Sequence, residues 1–276
     1  MEGFKALQEL LLTFPVFPYL WIPHCIMMSL VARQMYEPSA RDYARAHPLS
    51  CILRSFFYTY PGGILSSLLL SEPPLALLTN LPALTTMLFA WYLVYFSPHD
   101  IFARCILYTR ITLPFSMAQD FLRLHLCLGG VAQIAKLYPD AFIYMVVFAV
   151  CKSSGFMVLK YLENALSAKS WPSFHVPNYP TKTCILASAV FAAQASGIYD
   201  FGGNGPILAG LTLFAISLRI FCYATDDPYQ PIESLTCRVL FSPFNSSPSG
   251  FEAKDETKAS KKVTVIGPQS QRRLLR

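Results

Sequence analysis

Against an apolar background, this chain carries a few isolated charges and a few backbone breakers. Asp120 and Arg123 stand three apart in "SMAQDFLRLH", and Lys152 stands within "AVCKSSGFMVL". A charge at the centre of a membrane helix costs about 2.5–3.5 kcal/mol on insertion scales, so those that persist face a cavity or a partner. Asp120 and Arg123 share a helix face and can pair. Two accounts of them stand: a self-neutralised structural pair, or a polar lining on a water-filled path. Lys152, near the middle of its apolar stretch, reaches neither interface easily and reads as a lining residue. The breakers are Pro61, Gly62 and Gly63, inside "FFYTYPGGILSSLLLSEPP", and Ser154-Gly155. Glycine costs about 1 kcal/mol and proline about 3 kcal/mol in a helix interior. Unwound backbone at membrane depth is tolerated only where it is buried in protein or lines water. Close packing of helices through small residues is the competing explanation.

The chemistry such a set can do is electrostatic: drawing in, holding and passing a small charged solute. Covalent chemistry has no support. There is no G-x-S-x-G elbow, no H-E-x-x-H and no phosphate-cradling glycine loop. The eight cysteines form no C-x-x-C pair and read as small buried hydrophobes. Five scattered histidines make no ligand cluster, and His24 reads as a helix-packing hydrogen bond. No catalytic residue and no metal site is assigned.

The elements that must position these residues are membrane spans. Of 276 residues, 54% are hydrophobic and only 14% charged, against roughly 25% charged in soluble domains. Seven apolar segments have the roughly 17–25 residues that cross a bilayer: 13–32, 50–71, 75–97, 104–127, 140–163, 183–199 and 205–224. Residues 226–276 hold no apolar run and carry the composition of a disordered basic tail. Arg33, Arg41, Arg45 and Arg104, then Lys160, Lys169 and Lys182, cluster in alternate loops with the tail. The positive-inside rule then places the N-terminus on the lumenal side and the C-terminus in the cytosol. Arg54, Arg110 and Arg219, within two turns of the cytosolic ends, read as side chains that snorkel to the interface. A basic segment beside a span attracts anionic headgroups, so lipid rather than nucleic acid is the expected partner.

The second and fifth spans align without gaps, "GGILSSLLLSEP" against "SGFMVLKYLENA", setting Gly62-Gly63 against Ser154-Gly155. Their offset is three spans, an odd number that reverses orientation. Breaks in corresponding helices of two halves are the mark of inverted repeats whose broken helices line a site. The expected fold is therefore all-α: seven transmembrane helices as two inverted three-helix repeats plus a seventh helix, in one channel domain over 1–225. Gly62, Gly63, Ser154 and Gly155 are expected to break the pore helices.

At this point the chain resembles a known family, the trimeric intracellular cation channels of the endoplasmic and sarcoplasmic reticulum. The likeness is carried by "FPYLWIPH" (17–24), "GGILSSLLLSEPPLALLTN" (62–80), "WYLVYFSPHDIF" (91–102), "KSSGFMVLKYLENAL" (152–166) and "YPTK" (179–182), in the family's order. The resemblance implies a homotrimer with one pore per subunit. It also implies potassium conduction that balances charge during calcium release, and a phosphoinositide lipid near the pore. The family's fourth span typically shows Lys-Glu-Val-x-Arg. Here the matching positions are Gln119, Asp120 and Arg123, so acid and arginine persist and the lysine does not. Weak phosphoinositide affinity is expected from that change, since Gln119 offers only a neutral amide. A secondary solute transporter and a non-conducting scaffold are the alternatives. The transporter is disfavoured because three-plus-one-plus-three folds use parallel repeats.

Overall fold

The computed structural model of the chain describes residues 2–34, 40–107, 109–166 and 179–224. The expected tail, including the glycosylation sequon at Asn245, lies outside the described residues. Those residues form helices joined by turns and short loops, with no strand among them.

An unexpected short helix, α1 (Glu2–Thr13), precedes the first span. Pro15 and Pro18 follow it within a turn; neither has an N–H to continue a helix. In the stretch expected as the first span, the helix is α2 (Trp21–Gln34). A short α3 (Ala40–Ala46) leads into the second span, which is two helices: α4 (Pro48–Thr59) and α5 (Pro61–Leu69). A 3-10 turn over Pro74–Thr79 gives way to α6 (Leu81–Phe96). Asn80 caps α6, its side-chain oxygen accepting from the Ala83 N–H at 3.3 Å. The chain then bends by 91° into α7 (Ile101–Leu107). Two arginines hold the bend through Asp100, which lies 3.1 Å from Arg33 and 3.3 Å from Arg41. Arg33 also donates to the Val94 carbonyl, and Arg41 to that of Ser97.

The helix at the expected fourth span is longer than its apolar stretch suggests. Helix α8 (Thr109–Leu137) runs ten residues past Cys127, the end of the expected span, straight through Gly129-Gly130. Gly130 serves approach rather than interruption: a Cβ there would meet Cα of Ala149 at 2.9 Å. Helix α9 (Phe142–Leu166) follows, then α10 (Tyr179–Ala195) and α11 (Asn204–Ala224). Between the last two, Gly202 and Gly203 take φ of 79° and 98°, a region closed to most side chains. By length and apolarity, Phe142–Glu163 and Asn204–Phe221 can each cross a membrane, and the bent pair around Ser97 makes a third if taken as one span.

Two large apolar cores result, with a smaller cluster of Met28, Ala32 and Tyr58 packed against Phe156 and Leu159 of α9. One joins Cys25, Met27 and Leu30 of α2 to Cys51 of α4 and to Met87, Val94 and Tyr95 of α6. The other joins Leu124, Cys127 and Ile134 of α8 to Phe148 of α9, Phe191 of α10 and Leu208 of α11. Helix α5 packs on α9 and ties the two together. A Cβ on Gly62 would overlap the Lys152 carbonyl oxygen, and one on Gly155 would overlap the Gly62 backbone and lie 2.8 Å from the Pro61 carbonyl carbon. Gly63 is looser, facing only Cδ2 of Leu77, the mobile end of a side chain.

The glycines therefore divide by what faces them. Gly62→Ala and Gly155→Ala should each destabilise by about 1–3 kcal/mol, the range for overpacking. Gly129→Ala, with nothing within 4 Å of its Cβ, should be neutral or stabilise by up to about 1 kcal/mol. Thermal unfolding of the purified protein in detergent reads all three. Equal melting temperatures would show that the crossing is not closed.

Candidate functional site

The site is built where the two broken helices cross. In the second span the interruption lies at Tyr60 (φ −109°, ψ 14°), not at Gly62-Gly63. Proline disfavours helical geometry in the residue before it, and Pro61 opens α5 at the position where a missing N–H is harmless. Gly62 and Gly63 lie in α5's first turn, so they are contact residues rather than breakers. In α9 the interruption falls at Ser154 itself (φ −119°, ψ 20°), and Gly155 forms the crossing with Gly62. Breaks leave backbone carbonyls in need of donors. One donor is His24, whose Nε2 lies 3.1 Å from the Thr59 carbonyl, the packing role read from sequence. The His24 ring also lies 5.3 Å from Trp21, which in turn contacts Tyr60 at 5.4 Å.

Lys152 sits one turn before the α9 crossing. Its Nζ donates to Oε1 of Gln133 at 2.9 Å and lies 5.8 Å from the Phe148 ring centroid. It is half-buried and has a neutral partner on α8.

The charges of α8 are arranged differently from the sequence expectation. Arg123 does pair with Asp120, at 3.2 Å. The stronger partner comes from α11: Arg219 donates through Nε to Oδ2 at 2.7 Å and through Nη2 to Oδ1 at 2.6 Å. A two-pronged guanidinium–carboxylate contact of this kind is among the strongest hydrogen-bonded ion pairs. Arg219 is 8% exposed and Asp120 6%, so Arg219 does not snorkel. Its guanidinium also lies 4.8 Å from the Tyr179 ring, a cation–π distance. Arg54, likewise read as snorkelling, instead pairs with Glu163, which also accepts from Tyr58 Oη at 2.9 Å. The Arg110 side chain lies outside the described residues. Gln119 is buried, and its amide nitrogen has no partner among the described residues.

A cavity of about 10 Å³ adjoins this cluster, lined by Asp120, Arg123, Tyr179, Thr183, Cys184 and Ala215. That is room for about one water molecule. Among the described residues, one carboxylate faces two guanidiniums. Among the described residues no group of three or more His, Cys, Asp or Glu could hold a metal ion. The arrangement can order charge and water along α8 but offers no nucleophile with a base.

Comparison with known proteins decides the family. The model of the TRIC channel family matches residues 37–226, more than two thirds of the chain. This chain belongs to the TRIC channel family. It is 28% identical over 230 residues to trimeric intracellular cation channel type 1B.2 of Caenorhabditis elegans, covering 82% of this chain and 74% of that one. It is 28% identical over 273 residues to type B of Xenopus tropicalis, covering 95% of each. A solved trimeric intracellular cation channel from C. elegans, without Ca2+, superposes with a TM-score of 0.73 at 25% identity, over 79% of this chain and 95% of that one. A further structure, described as bearing on TRIC counter-ion channels in calcium release, shares the fold at TM-score 0.71 and 22% identity, over 81% of this chain and all of that one. TRIC proteins are channels, not enzymes.

Within this TRIC chain, sequence reasoning missed Arg219 and Glu163 as site-building residues. Each is the partner of a charge on a distant helix. The only signal was arithmetic: an acid inside a span needs a base, and Arg219 was one of three span arginines that had been assigned to the interface. The Arg54–Glu163 contact ties α4 to α9. A double-mutant cycle of Arg54→Gln and Glu163→Gln should give a coupling of about 0.5–1 kcal/mol, because both side chains are about a quarter exposed. Melting of the detergent-purified variants measures it. Strict additivity would mean the pair does not join the helices.

Proposed function

We propose that this chain forms a homotrimeric channel for monovalent cations, potassium above all, with one conduction path per subunit. It acts in an intracellular membrane, the endoplasmic or sarcoplasmic reticulum, supplying counter-ion flow during calcium release. The observation that carries this reading is the crossing of α5 with α9. Two interrupted helices meet backbone to backbone beside buried polar and charged groups, in a chain whose relatives are named cation channels. Interrupted helices at such a crossing present carbonyls and helix ends to a small ion. Gly62 and Gly155 set the approach, Gly63 beside them packs on Leu77, Ser154 opens α9, and Lys152 stands at the wall. Asp120 and Arg123 shape the field there.

Seven spans as two inverted three-helix repeats and a seventh helix complete the proposal, with the N-terminus lumenal and the basic tail cytosolic. Support comes from one helix interruption in each half, at Tyr60 and at Ser154, two positions apart in the alignment, and from a large apolar core in each half. The contacts of Arg41 with Asp100 and of Arg54 with Glu163 also join segments assigned to the same side. Phosphoinositide binding is proposed to be weak. Gln119 supplies no charge, and Asp120, which would repel a phosphate, is already engaged by arginines.

Potassium efflux from liposomes holding the purified trimer tests the function, with concentrative solute uptake as the parallel assay. Efflux down its gradient without uptake is expected. Uptake alone would indicate a transporter, and neither would indicate a scaffold. The orientation has its own check: no glycan is expected on Asn245 in cells, although Asn245-Ser246-Ser247 is an acceptor sequence. A glycan there would overturn the seven-span count or its orientation.

A further inference from the structure

The last helix does more than complete a bundle. Of its contacts with the path-forming helices, the most specific is Arg219, whose fork covers both oxygens of Asp120. Arg123 takes a share of Oδ1, and Tyr179 holds the guanidinium through its ring face. A carboxylate on a cation path normally attracts the permeant ion, because a fixed negative charge lowers the ion's energy in a poorly solvated site. Here that attraction is already spent on a cation belonging to the protein. The adjoining cavity has room for about one water beside Asp120 and Arg123, so the covered carboxylate sits against space rather than solid packing.

We propose that Arg219 is a tethered counter-cation: from α11 it occupies Asp120 and sets how strongly the path attracts potassium. The inference rests on the cation-channel reading. A guanidinium anchored by a fork and a ring is not displaced by a passing ion. The native chain is therefore a low-occupancy channel, and its conduction rises when Arg219 is withdrawn or neutralised. Asp120 is the group through which Arg219 acts, so the effect of changing Arg219 must disappear when Asp120 is neutral.

Single-channel recording in planar bilayers at low KCl, with trimer assembly checked by size exclusion, tests this. R219Q should raise potassium current by about tenfold, within the range of site-to-site couplings. R219K, which keeps the charge but loses the fork, should fall between. The double variant D120N/R219Q should lose the gain and return to the native level. An assembled R219Q with unchanged or lower current, or a double variant that keeps the gain, overturns the proposal. Should R219Q fail to assemble because it leaves the buried carboxylate to Arg123 alone, R219K against the native protein decides: a gain supports the proposal and none overturns it. A second readout does not depend on conduction. Potassium chloride, against N-methylglucamine chloride, should raise the melting temperature of R219Q and not that of the native trimer. A native trimer without current but with this potassium-dependent shift in R219Q would sink the channel reading and leave the Arg219–Asp120 inference standing. Absence of the shift in R219Q would remove the inference alone.

Discussion

Where α5 crosses α9, the backbones come closer than any side chain allows. Gly62 lies against the Lys152 carbonyl, and Gly155 against Gly62 itself. Neither approach is compatible with a regular pair of helices carrying side chains, whose axes stay about 8–10 Å apart. The two interruptions, at Tyr60 and at Ser154, lie within a turn of this contact. Each half of the molecule can then gather its own apolar core while the contact holds the halves in register. His24 on the Thr59 carbonyl, Tyr58 and Arg54 on Glu163, and Tyr144 on the Leu69 carbonyl are arranged around that crossing.

Charge is the second constraint. In a chain this apolar, every buried charge needs a partner, because breaking a buried pair costs about 3–5 kcal/mol. Apart from Arg123 on Asp120 within α8, the pairs described above meet the demand across helices. Arg33 reaches from α2 to the α6–α7 bend, Lys152 from α9 to α8, and Arg219 from α11 to α8. These ties act at long sequence distance, so they fix the mutual placement of helices whose apolar faces alone would slide.

How much of this was legible in the sequence depends on the range of the interaction. The pairing of Gly62-Gly63 with Ser154-Gly155, read from a weak alignment, picked out the two segments that touch. The Asp120–Arg123 pair was legible because three residues on a helix are neighbours. The position of the break was misread because glycine was counted as a breaker. In a helix interior glycine is only mildly unfavourable, and proline acts on the residue before it. The extension of α8 through Gly129-Gly130 has the same cause, a glycine that permits contact with Ala149. Helix α1 was not foreseen: the expected first span begins at residue 13, where α1 ends. Arg219 could not be placed, since its partner is ninety-nine positions away and local pattern assigns such an arginine to the interface.

The central claim, that the crossing at Ser154 borders an aqueous ion path rather than sealed packing, is tested most directly by accessibility. Ser154→Cys in a cysteine-free background would be exposed to a small cationic thiosulfonate during potassium current recording, with Val147→Cys, which is exposed on α9, as the lipid-facing control. The account predicts that current through the Ser154 variant falls irreversibly on adding the reagent, while the Val147 variant is unaffected. Undiminished current through a Ser154 variant that mass spectrometry shows to be unlabelled would mean that the crossing is dry, and would contradict the account.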